Sequence, residues 1–91
     1  MKVVYINDEK TSITVKIQGV AFFDALDNGE SLDKYFHVLR PAECKVFDLD
    51  MPANSSPYIK KWPGMVMISY IDDQVLSNLE NALAGGEIMG A

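Results

Sequence analysis

The chain has 91 residues, of which 48% are apolar and 23% are charged, and its 13 acidic and 8 basic residues give a net charge of −5. This length and apolar content fit one folded domain, residues 1–91, and exclude a disordered chain. The acidic balance disfavours contact with phosphate backbones, so we expect no direct binding of nucleic acid.

The single cysteine, Cys44, excludes an intramolecular disulfide and a cysteine-rich metal cluster. The longest apolar run, 65–71, is far shorter than the roughly 20 residues that a membrane-spanning helix needs. Residues 1–7 have the pattern of a strand broken by polar residues rather than that of a signal peptide. These features predict a cytoplasmic protein without a membrane span.

The chain begins with two segments that predict β-strands. Lys2 to Asn7 and Ser12 to Gly19 are rich in β-branched residues, and residues 8–11 between them are polar and turn-like. The second segment places Ile13 and Val15 on the same face, together with Ile17. We therefore expect a β-hairpin with one face in the core.

The segment after Gly19 predicts helical structure. A short helical turn is expected around Phe22, and a longer helix is expected from a Ser31 cap to Pro41. The apolar side chains of the longer helix recur at i, i+3, i+4 and i+7. They are Leu32, Tyr35, Phe36 and Leu39.

The second half of the chain predicts one strand from Cys44 to Asp50 and another from Met65 to Ile71. The second of these is apolar on both of its faces, as expected for a central strand. Residues 51–64 between them hold three prolines and predict a loop with at most one helical turn. A loop of this length in a small domain is typical of a functional segment.

A final helix is expected from a cap at Asp72 or Asp73 to a stop at Gly85 and Gly86. Its apolar side chains fall on one side, which we expect to be buried. They are Val75, Leu76, Leu79, Ala82 and Leu83.

This order of elements predicts a small α/β or α+β domain in which a mixed four-stranded sheet carries two main helices. If residues 51–64 form a crossover, the strands Cys44 to Asp50 and Met65 to Ile71 are parallel. If they form a long hairpin loop, the two strands are antiparallel. Both arrangements remain open at this point.

The residues that could carry catalysis show no recognised spacing. His37 is the only histidine, and we expect it to be structural or solvent-exposed. We expect Cys44 to be a small core residue rather than a reactive thiol. Asp48 and Asp50 follow one strand, and Asp72 and Asp73 follow another, so the four carboxylates could gather around Mg²⁺. The favoured interpretation is that they end strands and cap the last helix. We therefore expect no enzymatic activity, no catalytic residue, no metal and no cofactor.

A strand that runs into small hydroxyl residues carries the strongest functional signal. Residues 13–19, the segment 47–50 and the turn at Asn54, Ser55 and Ser56 together resemble the STAS domain of anti-anti-sigma factors and related regulators. That resemblance implies a regulatory module in which a serine at the start of the following helix is phosphorylated by a partner kinase. Ser56 is the corresponding phosphorylation candidate.

The aromatic residues of the same segment support a second hypothesis. Tyr58 and Trp62 flank Lys60 and Lys61, and exposed aromatic side chains are common anchors of protein interfaces. Together with the acidity and the small size, they are typical of a phage-type inhibitor or toxin-immunity protein that occupies a basic cleft of a target enzyme.

The sequence thus predicts a non-enzymatic binding module that acts through protein contacts. Its partner would be a kinase, a regulator or a target enzyme, and a homodimer remains open. The predicted partner-binding residues are Asn54, Ser55, Ser56, Tyr58 and Trp62.

Overall fold

The computed structural model describes residues 1–85, which form an α+β fold. The strands are β1 (Lys2–Ile6), β2 (Ile13–Ile17), β3 (Phe36–Leu39), β4 (Cys44–Asp48), β5 (Ser55–Trp62) and β6 (Met65–Asp72). The helices are α1 (Val20–Asp27) and α2 (Asp73–Gly85), and a 3-10 turn spans Asp33–Tyr35. The predicted fold class, with a mixed four-stranded sheet, is confirmed.

The four-stranded sheet has the strand order β3-β2-β6-β5. β2 and β6 are parallel, with Val15 opposite Val66, whereas β3 and β5 pair antiparallel at the two edges. β6 is a central strand, as its apolar residues at both parities predict.

A two-stranded ribbon of β1 and β4 forms a second layer. Val3 lies opposite Phe47 in this antiparallel pair. The predicted hairpin between the first two strands is therefore wrong, because β1 and β2 belong to different sheets. The buried side chain of Asn7 fixes the change of layer: its amide nitrogen donates to the carbonyls of Thr11 (2.9 Å) and Leu39 (3.0 Å).

The core lies between the ribbon and one face of the four-stranded sheet. β2 contributes Val15, β6 contributes Ile68 and the ribbon contributes Phe47, and all three side chains are buried. Apolar burial between two layers is the main stabilising term in a domain of this size.

The predicted helix from Ser31 to Pro41 is wrong. After the 3-10 turn, Phe36–Leu39 runs as an edge strand along β2, with His37 opposite Val15 and Leu39 opposite Ile13. Leu39 is fully buried and Val38 is exposed, so the segment follows the two-residue period of a strand. The apolar residues of this segment fit the period of a helix as well as that of a strand. The segment forms a strand because it pairs with β2.

The predicted loop at 51–64 is also wrong, because most of it is the eight-residue strand β5. Pro57 is tolerated because β5 lies at a sheet edge. Gly64, at a φ of 76°, allows the tight turn into β6. The two arrangements left open by the sequence both fail, since β4 lies in the ribbon and β6 in the larger sheet.

The two helices sit at the ends of strands. The short turn expected around Phe22 is confirmed as α1, whose Ala21 amide donates to Asp50 at 2.8 Å. The predicted cap of α2 is also confirmed, because the Asp72 carboxylate accepts the amide protons of Gln74 (2.8 Å) and Val75 (3.3 Å).

The predicted burial of the apolar side of α2 is wrong for three of its residues. Val75, Leu79 and Leu83 are all largely exposed. Among the described elements, only β6 packs appreciably against α2. The radius of gyration of 15.4 Å exceeds the about 12 Å expected for a compact chain of this length. α2 ends at Gly85, and the second predicted stop residue, Gly86, lies outside the described residues.

Candidate functional site

The face of the four-stranded sheet that points away from the ribbon is the candidate site. Strand alternation places Lys16 and Val38 on this outer face, because their neighbours Val15 and Leu39 belong to the core. The strand pairing puts the following side chains on it, and we call them the aromatic face. They are Lys16, Phe36, Val38, Tyr58, Lys60, Trp62, Met65 and Met67.

The aromatic face is open to solvent over much of its area. Val38 is 68% exposed, Tyr58 42% and Trp62 43%, although they lie on a regular sheet. α1 reaches one end of the face, where the Lys16 ammonium lies 5.1 Å from the ring centre of Phe22. Among residues 1–85, the only other helix, α2, packs mainly against β6 near their junction. Contiguous apolar surface of this kind is typical of an interaction site.

Two lysines place positive charge among the aromatic rings. The Lys60 Nζ atom lies 5.2 Å from the ring centre of Trp62, and the Lys16 Nζ atom lies 5.7 Å from that of Phe36. Each cation is held against a ring by cation–π attraction, and its stem covers apolar surface. The face therefore combines apolar contact area with two fixed hydrogen-bond donors.

The five predicted binding residues divide into two groups. Asn54, at a φ of 60°, occupies the turn before β5, and its carbonyl accepts the Asp73 amide proton at 2.9 Å. The Ser55 hydroxyl donates to the Pro52 carbonyl at 2.6 Å. These two residues thus stabilise the turn.

Ser56 lies in β5 and not at the start of a helix, so that part of the expectation is wrong. Its hydroxyl donates to the Asp73 carboxylate at 2.5 Å, which ties β5 to the first residue of α2. Tyr58 and Trp62 follow at positions two and six residues further along the same face. The structure therefore brings three of the five predicted residues onto one side of one strand.

Sequence reasoning missed the β3 half of the face. The sequence pattern predicts a helix for Phe36 and Val38, whereas both lie in the edge strand β3. The available signal was the alternation from Phe36 to Leu39, which fits a strand as well as a helix. Only the pairing of β3 with β2 decides between the two.

A groove of about 400 Å³ opens between the β1–β2 connection and the β5–β6 turn. Tyr5, Ile13 and Lys61 line it. The Tyr5 hydroxyl and then the Asp8 carboxylate raise the pKa of the Lys61 ammonium. This lysine is thereby held in its charged form and does not have the lowered pKa of a catalytic base.

A smaller groove of about 260 Å³ contains His37 between the 3-10 turn and β4. The imidazole lies 5.1 Å from the ring centre of Phe47. Burial lowers the pKa of His37, and the Lys45 ammonium lowers it further. Cys44 is exposed and does not line this groove, so the expectation of a core residue is wrong.

The four carboxylates considered for Mg²⁺ have separate partners. Asp48 pairs with Lys2 at 2.8 Å, Asp50 accepts the Ala21 amide proton, Asp72 caps α2, and Asp73 accepts the Ser56 hydroxyl proton. Within residues 1–85, no group of three or more His, Cys, Asp or Glu side chains is arranged to hold a metal ion. The favoured interpretation holds for Asp48, which ends β4, and for Asp72, which caps α2, whereas Asp50 bonds to α1 and Asp73 to Ser56.

No family model, curated protein or solved structure matches the chain. In the described part, neither helix has the length and apolarity needed to cross a membrane. Function must therefore be inferred from the surface itself.

Proposed function

We propose that this chain is a small non-enzymatic binding module that acts through protein–protein contacts, and that its partner docks on the aromatic face. The exposure of Tyr58 and Trp62 on a regular sheet is the observation that carries the proposal. Aromatic residues and methionine are enriched at protein interfaces, and tryptophan and tyrosine are among the residues that carry most of the binding energy. A sheet also holds them in place, so little side-chain entropy is lost on binding.

The two lysines of the face indicate the chemistry of the partner. Lys16 and Lys60 present ammonium groups beside Phe36 and Trp62. A partner surface with apolar pockets and a rim of carboxylates or backbone carbonyls would satisfy both features. We therefore propose a partner with an acidic rim.

Ser56 is the proposed regulatory point of the module. Its hydroxyl is bonded to Asp73 and precedes Tyr58 by two residues on the same face. A phosphate at this position would face the Asp73 carboxylate and add negative charge beside the docking surface. Phosphorylation by a partner kinase, as the STAS resemblance implies, would then change affinity for the docked protein.

The decisive experiment captures partners with the wild-type chain, with Trp62→Ala and with Ile59→Ala as the matched control. Ile59 lies in the same strand, is similarly exposed and points to the opposite face. A true partner is retained by Ile59→Ala and lost with Trp62→Ala, with an affinity loss on the order of 30-fold. Equal retention by both variants would contradict docking on the aromatic face.

The serine switch has a separate test with the same captured partner. Ser56→Asp and Ser56→Ala should change its affinity in opposite directions, because only the first adds charge beside Asp73. Equal affinity of the two variants would remove the switch and leave the docking surface intact.

The inhibitor hypothesis remains as the alternative, because acidic side chains recur every three residues around the end of α1. All of them are exposed: Asp24, Asp27, Glu30 and Asp33. If a basic cleft is the target, the double variant Asp27→Asn/Glu30→Gln should weaken the complex, and added salt should weaken it too. Docking on the aromatic face alone predicts no effect of the double variant.

The proposed compartment is the cytoplasm. Cys44 is an exposed free thiol, and exposed thiols persist where the surroundings are reducing.

A further inference from the structure

The outer surface of the β1–β4 ribbon is a second uncovered face, and its chemistry differs from that of the aromatic face. Val4 lies opposite Val46 and Ile6 lies opposite Cys44, with all four side chains exposed. We call these four residues the aliphatic face. At one end of this face, the Lys2 Nζ atom forms an ion pair with Asp48 Oδ2 at 2.8 Å.

Helix α2 carries an exposed apolar stripe of its own. Val75, Leu79 and Leu83 recur every four residues on one side, and Leu83 is 63% exposed. We call these three residues the α2 stripe. A helix of 13 residues is marginal in water without tertiary packing, so α2 needs a surface to cover the stripe.

The helix cannot cover the aliphatic face of its own chain. α2 begins at Asp73, directly after the last residue of β6, and no linker separates them. β6 lies in one layer, whereas the aliphatic face is the far side of the other layer. Stacked layers are about 10 Å apart, and a helix on the aliphatic face would form a third layer. Its axis would therefore lie about 20 Å from the plane of β6. Within residues 1–85, the ribbon of the same chain therefore cannot meet the stripe, whereas the ribbon of a second copy can.

The two surfaces match in length and width. The α2 stripe from Val75 to Leu83 spans roughly 12 Å at the rise of an α-helix. The ribbon from Lys2 to Ile6 spans roughly 14 Å at the rise of a strand. Two strands with their side chains are also about as wide as one helix, near 10 Å.

The apolar part of these surfaces makes up more than half of the area that a stable interface buries. In each chain, the three stripe residues together with Val4, Ile6 and Val46 expose roughly 500 Å² of apolar surface, against about 800 Å² per partner in a stable complex, polar rim included. Permanent interfaces between identical chains are also the more apolar ones. The aromatic face suits the stripe less well, because Lys16 and Lys60 would lose water there without gaining a partner.

We propose that two copies of this chain form a two-fold symmetric dimer in which the α2 stripe of each copy docks on the aliphatic face of the other. Such an interface is isologous and contains two identical helix-on-ribbon contacts. It leaves the aromatic face free, so the dimer would present two docking surfaces to partners.

The first test measures self-association of the full chain by sedimentation over a broad range of concentration. Val46→Glu and Leu79→Glu should each raise the dimer dissociation constant by at least about tenfold, because each buries a charge in an apolar contact. Val38→Glu is the matched control: it places the same charge on the aromatic face and should leave the dimer intact. Thermal melts of all variants report whether the fold is retained.

The second test mixes the two disrupted variants. A mixed dimer of Val46→Glu with Leu79→Glu keeps one intact contact, between the normal helix of the first and the normal ribbon of the second. Mixing should therefore restore dimers that neither variant forms alone. Dimerisation by helix-to-helix pairing would not be rescued in this way, so the absence of mixed dimers would overturn the proposed geometry.

The single cysteine supplies an independent readout. Cys44 belongs to the aliphatic face, so dimerisation should slow its alkylation by a maleimide as the wild-type concentration rises. Leu79→Glu should react at the fast rate throughout. A monomeric wild type at every concentration would overturn the dimer without affecting the proposal for the aromatic face, whose test is retention of a partner by Trp62.

Discussion

The two outer faces of this molecule cover one core but differ in composition. The four-stranded sheet presents aromatic rings, methionines and two lysines, whereas the ribbon presents Val4, Ile6 and Val46. Rings held beside fixed cations favour selective contact with a different protein, since charge sets register and rejects wrong partners. Aliphatic side chains lack such features and favour permanent burial. The polar groups within an exposed apolar face, rather than its area alone, therefore indicate which kind of partner it binds.

The largest effect should come from the core that supports both faces. Ile68→Ala removes a fully buried side chain of the central strand β6 and should destabilise the fold by about 2–5 kcal/mol. Ile59→Ala, its cross-strand neighbour at the exposed edge, should cost much less. Denaturant unfolding measures both. Similar losses for the two variants would contradict the position of the core.

A smaller effect should separate the two faces. Asn7→Ala removes the amide that bonds to Thr11 and Leu39, and leaves the buried Leu39 carbonyl without this donor, at a cost of about 1–3 kcal/mol. Because Asn7 links the ribbon to the larger sheet, amide hydrogen exchange should accelerate in β1 and β4 before it does in β2 and β6. Uniform acceleration would show that the two layers open together.

Val46→Ala and Trp62→Ala, one on each face, should change the free energy of unfolding by less than about 1 kcal/mol, since both side chains are about half exposed. Val46→Ala should weaken self-association and leave partner binding unchanged, and Trp62→Ala should do the reverse. Unfolding curves and the two binding assays check this pair together. A variant that weakened both kinds of association would mean that the faces form one continuous site.

The smallest effect concerns pH and the groove beneath the ribbon. Burial and Lys45 lower the pKa of His37 in the folded chain, so protonation favours the unfolded state. Stability from this group is complete above the unfolded pKa, near 6.5, and declines as the pH falls below it. Lys34, Lys45, Asp48 and Asp50 also line the groove. Thermal melts between pH 7.5 and 5.5 should show a smaller decline for His37→Gln than for the wild type.

Local sequence signals determined the elements whose pattern allows one solution. β6 is apolar at both parities, Asp72 offers a side-chain cap, and the residues after Gly19 favour a helix; each formed as predicted. Tyr58 and Trp62 were also selected correctly as exposed residues of one segment, because an aromatic side chain beside lysines and prolines is a recognisable surface signal. Whether they bind a partner stays a prediction.

Tertiary structure decided the rest, because the outcome depended on residues far away in the chain. The segment Phe36–Leu39 fits either period until β2 pairs with it, and Lys2–Ile6 chooses β4 over its sequence neighbour through contacts more than 35 residues away. The three prolines of residues 51–64 predict a loop, yet β5 forms there. Its one proline, Pro57, is tolerated because an edge strand pairs on one side only. Likewise, the apolar period of α2 predicts a buried side, but Val75, Leu79 and Leu83 are exposed in the described part of the chain. Periodicity specifies which side chains avoid water, and chain geometry decides what covers them.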